Sequence, residues 1–143
     1  MTIRAIAICV AMAVASCASE PAPLTDADYL ADLEAICADT TAVIDALPTP
    51  PGQIAVADFA TSAAAALGNE AERARALDVP DDLDDDHRAF IRNTDEQSAA
   101  WRTIATASDD DLGALTVRVG ELVRGRNDLV DAMGASACRR GDV

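Results

Sequence analysis

The six prolines of this chain stand in three places only: Pro21 and Pro23, then Pro48, Pro50 and Pro51, then Pro80. A proline has no backbone N–H and its ring clashes with the preceding turn, so no regular helix runs through these points. Between and after them, apolar residues recur at alternating spacings of three and four, the period of one helix face. Thr25-Asp26-Ala27-Asp28 opens the first helix, with Thr25 as N-cap and acids in the first turn. Its stripe is Leu30, Leu33, Cys37, Thr40, Ile44 and Leu47, and Pro48-Thr49-Pro50-Pro51-Gly52 stops it. The second helix, roughly residues 53–77, sets Val56, Phe59, Ala60, Ala63, Leu67, Ala74 and Leu77 on one side. Its alanine run, 63–66, makes a thin helix that neighbours can approach closely. After Val79-Pro80, Asp81 or Asp82 is expected to cap a third helix running to about Ala107, striped by Leu83, His87, Phe90, Thr94, Gln97, Trp101 and Ile104. A fourth starts at Asp109-Asp110-Asp111 and continues to about Cys138, with Leu112, Leu115, Val119, Leu122, Val123, Val130 and Met133 inward. No β-branched alternation competes with this reading. Four helices joined by short turns predict an all-α chain, a four-helix up-down bundle over residues 25–143.

Ahead of the bundle, Met1 to Arg4 carries one positive charge and Ala5 to Ala15 is an uncharged, largely apolar run. That is the layout of a secretory signal, too short to span a bilayer, which needs ~20 apolar residues. Val14-Ala15-Ser16-Cys17 resembles the lipobox of bacterial lipoproteins, in which an aliphatic and two small residues precede a cysteine that becomes the lipidated N-terminus. The resemblance implies a signal peptide over residues 1–16, lipid attachment at Cys17 and a short lipidated tether over 17–24. It places the protein at the cell membrane, on its extracytoplasmic face. Ordinary signal cleavage at Ala13-Val14-Ala15 or Ser16-Cys17-Ala18 is the alternative. Cysteine parity favours lipidation: Cys9 leaves with the signal, and an unlipidated Cys17 would strand one thiol in an oxidising compartment. With Cys17 acylated, Cys37 and Cys138 remain as one disulfide pair. The tether, about eight residues at ~3.3 Å each, would hold the domain within ~25 Å of the membrane.

The Cys37–Cys138 pairing strains a simple bundle. With minimal turns, Cys138 lies level with the start of helix one, whereas Cys37 sits in its middle. Either helix one is slid along the bundle, with the Pro-rich segment from Pro48 allowing the offset, or the chain folds back near Gly134. The bridge would close a loop of about 100 residues, for which chain entropy gives ~4.7 kcal/mol. That is comparable with the whole net stability of a small domain, ~5–15 kcal/mol.

Charge narrows the partners. The formal net charge is −14, and loss of Arg4 with the leader takes it to −15. Every basic side chain other than His87 is an arginine. So acidic a chain does not suit nucleic acid, whose phosphates require a basic surface. Nor does it suit electrostatic docking on anionic lipid, so the anchor at Cys17 has to make the membrane contact.

Candidate sites are few. Asp81, Asp82, Asp84, Asp85, Asp86 and His87 form the densest cluster of metal-capable groups, with Asp82, Asp86 and His87 as the weak metal candidates. Successive helical residues point in different directions and the glycine and spacing of an EF-hand are missing. The cluster therefore reads as a helix N-terminus whose acids complement the macrodipole. Asp109 to Asp111 reads the same way. No nucleophile–base motif and no Gly-rich phosphate loop occurs, so neither an enzyme nor a cofactor is expected. Arg126 stands out, because it falls inside the apolar stripe of helix four while Glu70 falls inside that of helix two. An up-down bundle puts both at the height of the Phe90–Thr94 turn, which predicts a polar layer of Glu70, Thr94 and Arg126. The structural reading is a buried ion pair that fixes register; the functional one is a pocket where Arg126 meets an anion.

The wider pattern is similar to that of small uncharacterised secreted or lipid-anchored helical proteins of actinobacteria. It runs from Ala35-Ile36-Cys37 through Leu47-Pro48-Thr49-Pro50-Pro51 and Leu77-Asp78-Val79-Pro80 to a C-terminal cysteine after Met133-Gly134. The resemblance supports the fold and the cysteine pair and transfers no catalytic residue. The expected role is binding an envelope protein or component. The alternative is a carrier of a small ligand or metal, using the Glu70–Thr94–Arg126 layer or the Asp81–His87 cluster.

Overall fold

A computed structural model describes residues 24–49 and 53–141. The expected signal peptide and lipidated tether, Cys17 included, lie outside the described residues. The chain forms α1 (Asp26–Asp45), α2 (Gln53–Arg75), α3 (Asp84–Ile104) and α4 (Asp109–Met133), followed by a short 3-10 turn at Ser136–Cys138. The described residues contain no strand. The fold is an all-α, four-helix bundle.

Local chemistry sets the helix ends. Thr25 caps α1, its side chain accepting from the Asp28 N–H at 3.2 Å. The expectation that Asp81 or Asp82 caps α3 is corrected. Both lie in the turn after Pro80, and the N-cap is Leu83, which has no side-chain acceptor to offer. Its N–H donates to the Pro80 carbonyl at 3.0 Å instead. Helix α3 also ends at Ile104 rather than near Ala107, and α2 at Arg75 rather than Leu77.

The larger correction is at the end of α4, which stops at Met133 instead of continuing to Cys138. Gly134 takes φ 81°, the left-handed conformation a Cβ disfavours. The Ala135 N–H reaches the Val130 carbonyl at 2.8 Å and the Gly134 N–H the Asp131 carbonyl at 3.2 Å, which closes a Schellman motif. From there residues 135–141 turn back over the bundle. The level mismatch between Cys37 and Cys138 is thus resolved by the fold-back at Gly134.

This return changes the packing. Consecutive helices are neighbours, but no Cα of α1 comes within 8 Å of one in α4. The C-terminal segment fills that seam, contacting α1 and α4. Two apolar clusters result. One surrounds the cystine, with Tyr29, Leu33, Phe90, Val130 and Met133. The other holds Ala60, Ile104, Val119 and Val123, flanked by Trp101, Leu112 and Leu115. Along α2, α3 and α4 the buried polar residues Glu70, Thr94, Gln97, Ser98, Arg126 and Asn127 fall between the two. Small residues let α2 and α3 approach, and Ser98 Oγ donates to the Ala64 carbonyl at 2.8 Å.

Candidate functional site

The buried layer is built around Arg126. Glu70 and Arg126 are both fully buried, and Arg126 Nη2 pairs with Glu70 Oε1 at 2.5 Å. Arg126 Nη1 donates to Thr94 Oγ1 at 2.9 Å, while the Thr94 hydroxyl donates to the Phe90 carbonyl at 3.0 Å. Arg126 Nε donates to the Cys138 carbonyl at 3.0 Å, and Nη2 rests 3.4 Å from Cys37 Sγ. The guanidinium carbon stands 4.5 Å from the centre of the Phe90 ring, a cation–π contact. A guanidinium taken out of water has to be matched in this way, by charge and by acceptors in its plane. Burial pushes the Arg126 pKa down to about 10, with Glu70 opposing and Arg140 adding to the fall. It therefore keeps its proton at neutral pH.

The cystine joins α1 to the returning segment, with Cys37 and Cys138 Cα atoms 5.0 Å apart across a separation of 101 residues. Side chains on two helices hold the same segment. Glu34 Oε1 on α1 accepts from the Ala137 N–H at 3.0 Å. Asn127 on α4 donates from Nδ2 to the Arg140 carbonyl and accepts at Oδ1 from the Arg140 N–H, both at 2.9 Å. This delivers Arg140 to the layer, where its Nη2 pairs with Glu70 Oε2. Glu70 thus serves two arginines, one through each oxygen. The sequence reading missed Arg140, Asn127 and Glu34, because a continuous helix to Cys138 keeps residues 139–141 away from the core. The available signal was Arg139-Arg140, two adjacent cations straight after a cystine residue in an otherwise acidic chain.

The Asp81–His87 region gathers differently. His87 is buried, and its Nδ1 shares a 2.9 Å hydrogen bond with the Tyr29 hydroxyl, the rings meeting edge to face. Tyr29 was also missed, although it lies one turn before Leu33 on the α1 stripe. Burial lowers the His87 pKa, offset in part by Asp84. Burial, together with Asp86, raises that of Tyr29 to about 12. Asp82 is exposed in the turn and Asp86 is half-buried on α3. Asp84 and Asp85 pair with Arg88. Among the described residues no group of three or more His, Cys, Asp or Glu side chains converges as a metal site.

Beside the polar layer, at the end of α1, lies a cavity of about 370 Å³. All four helices and the returning segment line it: Ile44 and Asp45 from α1, Ala63 from α2, Gln97 and Trp101 from α3, Val119 and Val123 from α4, then Arg139, Arg140 and Gly141. Small-molecule pockets run from roughly 300 to 1,000 Å³, so this one suits a compact ligand. Comparison with protein-family models, curated proteins and solved structures gives no match.

Proposed function

We propose that this is a lipid-anchored, extracytoplasmic binding protein. Cys17 would carry the anchor, the four-helix body would do the binding, and the cavity lined by the four helices and the returning segment would be the binding site. The signal layout, the lipobox and the cysteine parity support the anchor. The cavity carries the binding half of the reading. Glu70, Thr94 and Arg126, which could themselves have formed a ligand pocket, are engaged with one another, with Arg140 and with Cys138. That use favours the register role for the layer and leaves ligand binding to the cavity next to it.

A small ligand is favoured over a protein partner because the large apolar side chains exposed among the described residues, Leu24, Val43 and Val117, stand singly. They give a partner no clustered anchor of the kind that dominates interfaces. Native mass spectrometry of the full-length protein, taken from bacterial membranes in mild detergent, tests both halves. We expect a chain beginning at a diacylated Cys17 that releases a bound small molecule on activation. A bare N-terminus at Cys17 overturns the anchor, and an empty protein at every activation energy overturns the carrier role.

A further inference from the structure

The side chains that line the cavity bear on the chemistry of its occupant. Within the layer, two guanidiniums, Arg126 and Arg140, share the single carboxylate of Glu70. Arg126 and Glu70 are fully buried and the Arg140 side chain is 11% exposed. One positive charge is therefore left over in a place where charge is costly unless matched. Arg140 is also the one member of the three that is not fully buried. Its Nη2 is committed to Glu70, but its Nε is buried without a hydrogen-bond partner, the only such side-chain atom among the described residues. Arg140 lines the cavity, with Arg139 beside it. The one carboxylate on the lining, Asp45, is exposed on the last turn of α1. Arg139 is paired with Asp131, and the rest of the lining is Thr41 and Gln97 with an apolar set, Ile44, Ala63, Val119, Val123 and Trp101.

We infer that the cavity binds a compact organic monoanion, its carboxylate received by Arg140 and its hydrocarbon body packed on Trp101, Val119 and Val123. The inference rests on the cleft being a binding site and adds the class of ligand. A carboxylate supplies the missing negative charge and accepts from the planar guanidinium fork. The overall charge of −14 disfavours anions at long range. The selectivity therefore belongs to this one patch and is felt only at contact.

Trp101 is the sole tryptophan, so intrinsic fluorescence reports from the cavity wall. The test is a titration of the full-length protein in detergent with cyclohexanecarboxylate, its uncharged amide and cyclohexylammonium, each corrected against protein-free micelles. We expect a saturable change with the carboxylate. Its affinity should exceed that of the amide by at least about tenfold, the low end for a hydrogen bond to a charged group. Arg140→Gln should erase that preference, whereas Arg118→Gln, at an exposed surface pair, should leave it intact. Melting curves of both variants confirm folding; if Arg140→Gln fails to fold, Arg140→Lys, which keeps the charge and loses the fork, should weaken carboxylate binding severalfold. Equal affinity for carboxylate and amide, or a preference that survives Arg140→Gln, overturns the anion and leaves the cleft as a binding site. No saturable response to any of the three probes overturns both.

Discussion

Asn127 holds the backbone of Arg140 from both sides, donating to its carbonyl and accepting from its N–H at 2.9 Å each. This is the pairing a neighbouring strand would provide, supplied here by one amide on α4. Its effect is to fix where a guanidinium enters the core, since the Arg140 side chain leaves that clamped backbone to meet Glu70.

Asn127→Leu keeps the volume and removes both bonds. It leaves a backbone donor and acceptor half-buried without partners, and we expect a loss of about 1–3 kcal/mol. The readout is a lower urea midpoint with an unchanged slope. Asp128→Asn, at the exposed next position, should be near neutral. Equal midpoints for Asn127→Leu and the parent would show that the clamp contributes nothing.

Reducing the cystine releases the segment that closes the seam between α1 and α4. For a loop of 101 residues, chain entropy alone puts the loss at about 4–5 kcal/mol. In a domain whose net stability is of order 5–15 kcal/mol, that is a large share. We expect the Cys37→Ala/Cys138→Ala protein to unfold at the same urea concentration as the reduced parent, and both well below the oxidised parent. An unchanged midpoint on reduction would mean that the clamp and the buried layer hold the segment without the bridge.

The helices were legible because each is announced twice, by a stripe and by a stop. Proline ends α1 and precedes α3, and the stripes through Leu33, Leu67, Phe90 and Val130 are buried where the spacing puts them. The juxtaposition of Glu70, Thr94 and Arg126 was legible for the same reason: a charged residue inside an apolar stripe has to meet something at its own height. The fold-back was offered only as one of two solutions. Gly134 reads equally as a flexible point within a helix and as a left-handed stop, and tertiary demand decides between them. Arg140 and the cavity depend on that decision, so the adjacent cations Arg139-Arg140 mark the segment as unusual without placing it against the core. The capping of α3 failed for a different reason. Among six residues with five aspartates any of several can cap, and here the turn after Pro80 positions none of them.

Glu70 and Arg126 should differ in their response to removal, although they are partners. Glu70→Gln leaves Arg126 and Arg140 facing each other across a neutral amide. It should cost about 3–5 kcal/mol, the range for an uncompensated buried charge. Arg126→Met leaves Glu70 still paired with Arg140. It forfeits the bonds to Thr94 and Cys138, for about 1–3 kcal/mol. Urea titrations of the two variants in parallel decide the order. If Arg126→Met is as stable as the parent or more so, the ion pair is not essential. If it is the worse of the two, Arg140 does not compensate Glu70 as the geometry says.

His87 gives the fold a pH dependence of known sign. Burial lowers its pKa below the ordinary 6.5, the Asp84 charge offsetting this only in part. The folded state therefore binds fewer protons than the unfolded chain. Stability from this group is complete above about pH 6.5, where the unfolded histidine is already neutral, and is lost as pH falls toward the lower folded-state value. Tyr29, whose hydroxyl holds Nδ1, has its pKa raised to about 12 and so does not titrate in that window. Unfolding free energy measured by urea at intervals from about pH 7 to 5 should fall for the parent. For His87→Gln it should fall less steeply, because the proton uptake by this histidine on unfolding is gone. Parallel curves for the two proteins over this range would show that His87 is protonated as readily inside the bundle as outside it.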